Sequence, residues 1–133
     1  MVPSAKDLGS TPLAPEFDSH NVDHFKCYKI KRTKNTPKFE PIEVTLDDQF
    51  DDTPKDFLVK KPTRLCTPVD KDGEGIKNFD LHMMCYRIRR ADGEPRHEKV
   101  KGIRVNNQFG ALQFNTRRAK ELCVPATKTP LLP

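Results

Sequence analysis

The chain has 133 residues, enough for one domain with a modest core, since only 35% of them are hydrophobic and Trp is absent. Its net charge of +5 is uneven: Lys6 against Asp7, Glu16, Asp18 and Asp23 puts residues 1–23 at −3 and the other 110 at +8. No apolar run approaches the roughly 20 residues a bilayer-crossing helix needs, so no membrane span is expected. Residues 1–22 show no periodicity and hold three prolines, which predicts an extended N-terminal arm or linker. No apolar leader-like stretch follows Met1; a mature or excised chain looks the same, so export stays open.

From residue 23 the chain reads as one domain, 23–128, built from a unit that occurs twice, at 24–71 and 82–128. Each copy opens with a basic run around Cys-Tyr: His24-Phe-Lys-Cys-Tyr-Lys-Ile-Lys31 and His82-Met-Met-Cys-Tyr-Arg-Ile-Arg89. Each continues to Gln-Phe (Val44–Phe50, Ile103–Phe109) and closes on Leu-Cys-x-Pro at 65–68 and 122–125. Strand alternation is clear. Ile42, Val44, Leu46 and Phe50 share a face, and Ile103, Val105 and Phe109 repeat it; Phe57 with Val59, and Leu112 with Phe114, suggest a following strand. The opening runs carry apolar residues on both faces, Tyr28 and Ile30 against Phe25 and Cys27, as central strands do. Asp72-Gly73, Glu74-Gly75, Asp92-Gly93 and Phe109-Gly110 mark turns. The best helical window is short, Thr116–Leu122. The expected fold is all-β: two similar antiparallel repeats packed as one small sandwich or irregular barrel with pseudo-two-fold symmetry. An N-terminal arm and a C-terminal tail, 129–133 with an apolar Leu131-Leu132 tip, flank it.

Four cysteines at matching positions, Cys27, Cys66, Cys85 and Cys123, predict two disulfides and an oxidising compartment, outside the cell or at its surface. Pairing within each repeat, Cys27–Cys66 and Cys85–Cys123, is preferred because each repeat is then stapled alone; Cys27–Cys123 with Cys66–Cys85 respects the symmetry equally. Each bridge would contribute about 3–4 kcal/mol in the chain-entropy model. His24 and His82 precede a cysteine by three residues, but i and i+3 point to opposite strand faces, which argues against zinc. Asp70-Lys-Asp-Gly-Glu-Gly75 resembles the start of a calcium loop, yet its twelfth position is Leu81 where a bidentate Glu belongs. Asp70, Asp72 and Glu74 are a weak calcium candidate, and an acidic turn between repeats is the favoured reading.

Asp47-Asp48 and Asn106-Asn107 take equivalent places before Gln-Phe, which suits a shared polar strand end better than a carboxylate pair. Serines occur only in the arm (Ser4, Ser10, Ser19), no Gly-rich phosphate loop is present and no cofactor is implied, so no enzyme is expected. Alternating basic residues, Lys29, Lys31 and Arg32, then Arg87, Arg89 and Arg90, form a tentative polyanion-binding stripe. Further basic clusters are Lys60, Lys61, Arg64 and Arg117, Arg118, Lys120. Scarce aromatics favour acidic polysaccharide over nucleic acid, and edge protection against strand pairing is the plain alternative.

Together, Cys-Tyr, Gln-Phe and Leu-Cys-x-Pro resemble an uncharacterised paired-repeat, four-cysteine module of secreted or surface proteins of environmental bacteria, over about residues 24–128. The resemblance implies an extracytoplasmic setting and intact disulfides, and brings no activity or ligand. The expected role is a non-catalytic structural or interaction module, a self-assembling subunit using its terminal arms. A basic module for acidic polysaccharide is the alternative. A small hydrolase inhibitor presenting residues 70–78 or 91–97 is a third reading.

Overall fold

The computed structural model describes residues 1–128; the expected tail 129–133, with Leu131-Leu132, lies outside them. Eight strands follow in order: β1 (Ala5–Asp7), β2 (His24–Lys29), β3 (Ile42–Leu46), β4 (Lys55–Val69), β5 (His82–Arg90), β6 (Ile103–Asn107), β7 (Gly110–Phe114) and β8 (Glu121–Ala126). All pairings are antiparallel. One sheet has the order β2-β4-β5-β8, with β3 also on β4; the other is β1-β6-β7. The chain is thus all-β, an open two-sheet arrangement rather than a closed barrel.

β4 is the spine. Its 15 residues pair with β3 in the first half, β2 in the second, and β5 throughout. Pro62 is tolerated here because it lies between two register shifts, at Val59/Lys61 and Pro62/Arg64, where the ladder is already interrupted. The bulges also re-aim side chains. Val59 opposes Ile88, whereas Lys61 opposes Arg87 on the other face, although both are odd-numbered residues of one strand.

One face of this sheet carries the core: Phe57, Val59 and Ile88 are buried, with Phe39, Val44, Leu46, Tyr86 and Leu122 packed against them. Phe39 reaches in from the β2–β3 loop and tilts against Tyr86 at 5.2 Å between ring centroids. Full burial of such side chains contributes about 1.5–3 kcal/mol each, a modest total for so small a cluster. The opposite face carries both disulfides, Cys27–Cys66 between β2 and β4 and Cys85–Cys123 between β5 and β8. Each joins directly opposed residues whose Cα atoms are 3.9 Å apart. Cys66 and Cys85 are fully buried. The within-repeat pairing is therefore the one adopted.

The duplication survives in local chemistry. Asp48 and Asn107, at equivalent positions, each accept a hydrogen bond from the backbone N–H of the following Phe, Phe50 and Phe109, at 2.8 Å in both copies. His24 and His82 are both buried and both lie on the face away from the sulfurs. The copies part where β4 runs on unbroken but its counterpart divides into β7 and β8. Asn115 and Thr116 leave the ladder to bond the β5–β6 loop, through Asn115 Oδ1 accepting from Gly102 N (2.9 Å) and Thr116 N donating to Val100 O (2.8 Å). That break carries β6 and β7 into the second sheet.

Three expectations need correction. Thr116–Leu122 is not helical, since its polar half is spent on these loop bonds and Glu121 begins β8. The opening strands are not both central: β5 lies between β4 and β8, but β2 ends its sheet. The N-terminal arm is extended yet not free. Met1 exchanges two backbone bonds with Phe25 (2.6 and 2.9 Å), β1 adds to the edge of β6, and Asn106 Nδ2 donates to Pro12 O (3.0 Å). Asp23, buried, closes the arm by accepting from the backbone N–H groups of Lys77 (2.7 Å) and Asn78 (3.0 Å).

With a small core, the bridges carry much of the stability. Replacing Cys85 and Cys123 by Ala is expected to cost about 2–5 kcal/mol, read as a fall in the denaturant midpoint against the intact chain.

Candidate functional site

The most connected polar group in the molecule joins three loops. Asp51, just past the Asp48 turn, accepts from Lys55 Nζ (3.2 Å) and bonds His97 Nδ1 (2.7 Å). His97, in the β5–β6 loop, meets the Thr116 hydroxyl through Nε2 at 2.5 Å. Thr116 Oγ1 also accepts the Val100 N–H at 2.8 Å. Lys55 is buried, and its ammonium also reaches the Arg96 carbonyl at 3.5 Å. An ionised carboxylate only accepts, so Nδ1 of a neutral His97 carries the proton and Nε2 accepts from the hydroxyl.

Carboxylate, imidazole and hydroxyl in this order is the arrangement of acyl-transfer hydrolases. Such chemistry needs a hydroxyl open to substrate and donors aimed at the developing oxyanion. Here the hydroxyl is already engaged by Val100 N–H. The adjoining cavity, about 230 Å³, is lined by Phe50, Asp51, Lys55, Pro95, Arg96 and neighbours, and not by His97 or Thr116. The group acts as a clasp, fastening the β3–β4 and β5–β6 loops to the end of β7. The hydrogen bond from His97 is the largest influence on Asp51 and holds its carboxyl below the ordinary range, aided by Lys55 and opposed by burial. No spacing announces this group: Asp51 and His97 are 46 residues apart, and His97 and Thr116 are 19. The one hint was that His97, unlike His24 and His82, has no partner in the repeat.

The tentative polyanion residues divide. Arg87 and Arg89 are exposed on the disulfide face, whereas Arg90 opposes Phe57 on the core face and is half-buried. Lys29 is exposed on the disulfide face directly opposite Arg64, while Lys31 and Arg32 lie beyond β2, with Arg32 bonded to the Thr36 carbonyl. Arg87 itself opposes Lys61. The register therefore assembles Lys29, Arg64, Lys61, Arg87 and Arg89 on one face, relieved by Glu121, which pairs with Arg64.

Asp70 and Asp72 are exposed, and Glu74 is spent elsewhere: it accepts from Lys71 (2.7 Å) and Gln108 (2.6 Å) and lies 3.7 Å from His24 Nε2. These contacts hold the Glu74 carboxyl below its usual range, the Lys71 hydrogen bond most of all. The calcium candidate is thus an ion-paired turn that meets the β6–β7 hairpin. Among the described residues, one trio of His, Cys, Asp or Glu ligand atoms converges, Cys85, Glu121 and Cys123, and its two sulfurs are joined to each other. No helix among the described residues is long and apolar enough to cross a membrane.

The clasp sets an acid limit. Because the folded Asp51 pKa is depressed, its stabilisation is full above the unfolded value and is lost as pH falls through the folded one. Asp51→Asn should therefore unfold at a midpoint that varies less with pH across the acid range than the parent chain, by denaturant titration at stepped pH. Comparison with protein-family models, with curated proteins and with solved structures gives no match.

Proposed function

We propose that the chain is a non-catalytic extracytoplasmic module with a structural or interaction role, a subunit that assembles through its terminal arm. Kinship with the paired-repeat family it resembles is part of the same proposal and rests on the repeated landmarks. All four cysteines are spent in cross-strand bridges, the economy of a small domain living in an oxidising compartment. The observation that carries the assembly reading is how the arm docks. Met1 on β2 and Ala5–Asp7 on β6 both attach by backbone pairing at sheet edges. Bonds of that kind form equally well between copies when the arm is exchanged, at little cost in contacts. Deleting residues 1–22 should reduce the assembled fraction in a native size measurement and leave both disulfides and the far-ultraviolet strand signal in place. An unchanged size profile would count against arm exchange.

A second reading, binding of acidic polysaccharide, is favoured by one observation. Like charges directly opposed across strands are unfavourable, yet Lys29 opposes Arg64 and Lys61 opposes Arg87 on one face. A bound polyanion would relieve that repulsion. Retention on a heparin-like resin should fall steeply with salt and should drop when Lys61, Arg87 and Arg89 are changed to Ala. Arg90→Ala, on the core face, should leave it unaltered; equal losses from both sets would remove the reading.

A further inference from the structure

We infer that β7 is a second, arm-independent contact, pairing antiparallel with β7 of another copy of this chain about a two-fold axis at Leu112. The inference rests on the assembling-subunit reading and names a surface for it that the terminal arm does not supply.

β7 ends its sheet, so its outer backbone groups have no strand partner among the described residues. The other edges are guarded as edge strands usually are. β2 carries Lys26 and Lys29 and takes Met1; β3 carries Glu43 between Pro41 and Asp47; β8 carries Glu121 and Pro125. β7 carries no such guard. It lies in the longest uncharged run of the sequence, the 12 residues Val105 to Thr116, in a chain whose residues are otherwise 32% charged. For a protein of net charge +5 this is the segment where two copies approach without meeting like charge.

Its side chains match themselves. Leu112 is 63% exposed and Phe114 51%, on one face, and Phe109 in the hairpin turn is 72% exposed. The other face is partly occupied, since Thr11 of the arm lies against Ala111 and Gln113. In the sequence Gly-Ala-Leu-Gln-Phe, a two-fold at the central Leu112 sets Leu112 beside its own copy. Phe114 then falls opposite Gly110, where a ring covers the glycine, and Ala111 falls opposite Gln113. Every large apolar side chain so gains a partner, and the result is a continuous six-stranded sheet through the axis, the self-complementary contact of a two-fold dimer.

The test uses the full chain and three versions of residue 112. The parent chain should be dimeric by sedimentation equilibrium at high micromolar concentration. Leu112→Lys and Leu112→Glu, each placing like charges on the axis, should weaken the dimer by about 100-fold or more. Mixing the two should restore it, because Lys then faces Glu. Far-ultraviolet circular dichroism and intact disulfides confirm that each variant is folded, as expected for an exposed position. A monomeric parent, dimers indifferent to both single changes, or a mixture that stays monomeric would each overturn the inference. Truncation of residues 1–22 separates the two contacts: loss of assembly with the arm alone supports arm exchange, and loss with the Leu112 variants alone supports β7.

Discussion

Two sulfur bridges between directly opposed residues hold this molecule in register. Cys27–Cys66 fastens β2 to β4, and Cys85–Cys123 fastens β5 to β8, so both stapled pairs meet at the β4–β5 seam. A one-residue slip in either pair would turn every side chain to the wrong face. With Phe57, Val59 and Ile88 as the buried cluster, hydrophobic burial alone has little reserve against such a slip. The bridges supply it, largely by restricting the unfolded chain. They also leave one face for the core and put basic side chains around buried sulfur on the other.

The halves illustrate how a duplication diverges without losing its chemistry. The turn before each Gln-Phe is closed by the same side-chain bond, through a carboxylate in one copy and an amide in the other, because either oxygen accepts a backbone N–H. What differs is whether the strand continues. In the first copy the break in alternation at Lys60-Lys61-Pro62 is absorbed as bulges. In the second, Asn115 and Thr116 take loop partners, and β6 and β7 separate into their own sheet. The Asp51–His97–Thr116 clasp forms across that separation and returns the end of β7 to the loop beside β4.

The acidic arm completes the second sheet and covers basic surroundings. Residues 1–23 carry −3 and run against a body of +8, and β1 takes one edge of β6. Local ion pairs reinforce the joint between sheets: Lys71 holds Glu74, Glu74 holds Gln108 in the hairpin turn, and the Lys71 ammonium sits 5.7 Å over the Phe109 ring. Exposed pairs of this kind contribute little singly. Together they orient the hairpin and leave β7 outermost.

The sequence by itself determined the repeat boundaries, the strand content, the bridge-forming cysteines and the strand-end role of Asp48 and Asn107. These follow from alternation, spacing and turn chemistry, all short-range. It also showed that His24 and Cys27 face apart, since two-residue alternation holds through β2. Tertiary structure decided the rest. Alternation cannot be counted through a bulge, so Lys61 joining Arg87, and the separation of Arg90 from Arg89, depend on register shifts in β4. Glu74 looked like an ion ligand until Lys71 and Gln108 came within reach of it. Asp51, His97 and Thr116 meet only because three loops converge, a contact between distant residues that no local pattern encodes.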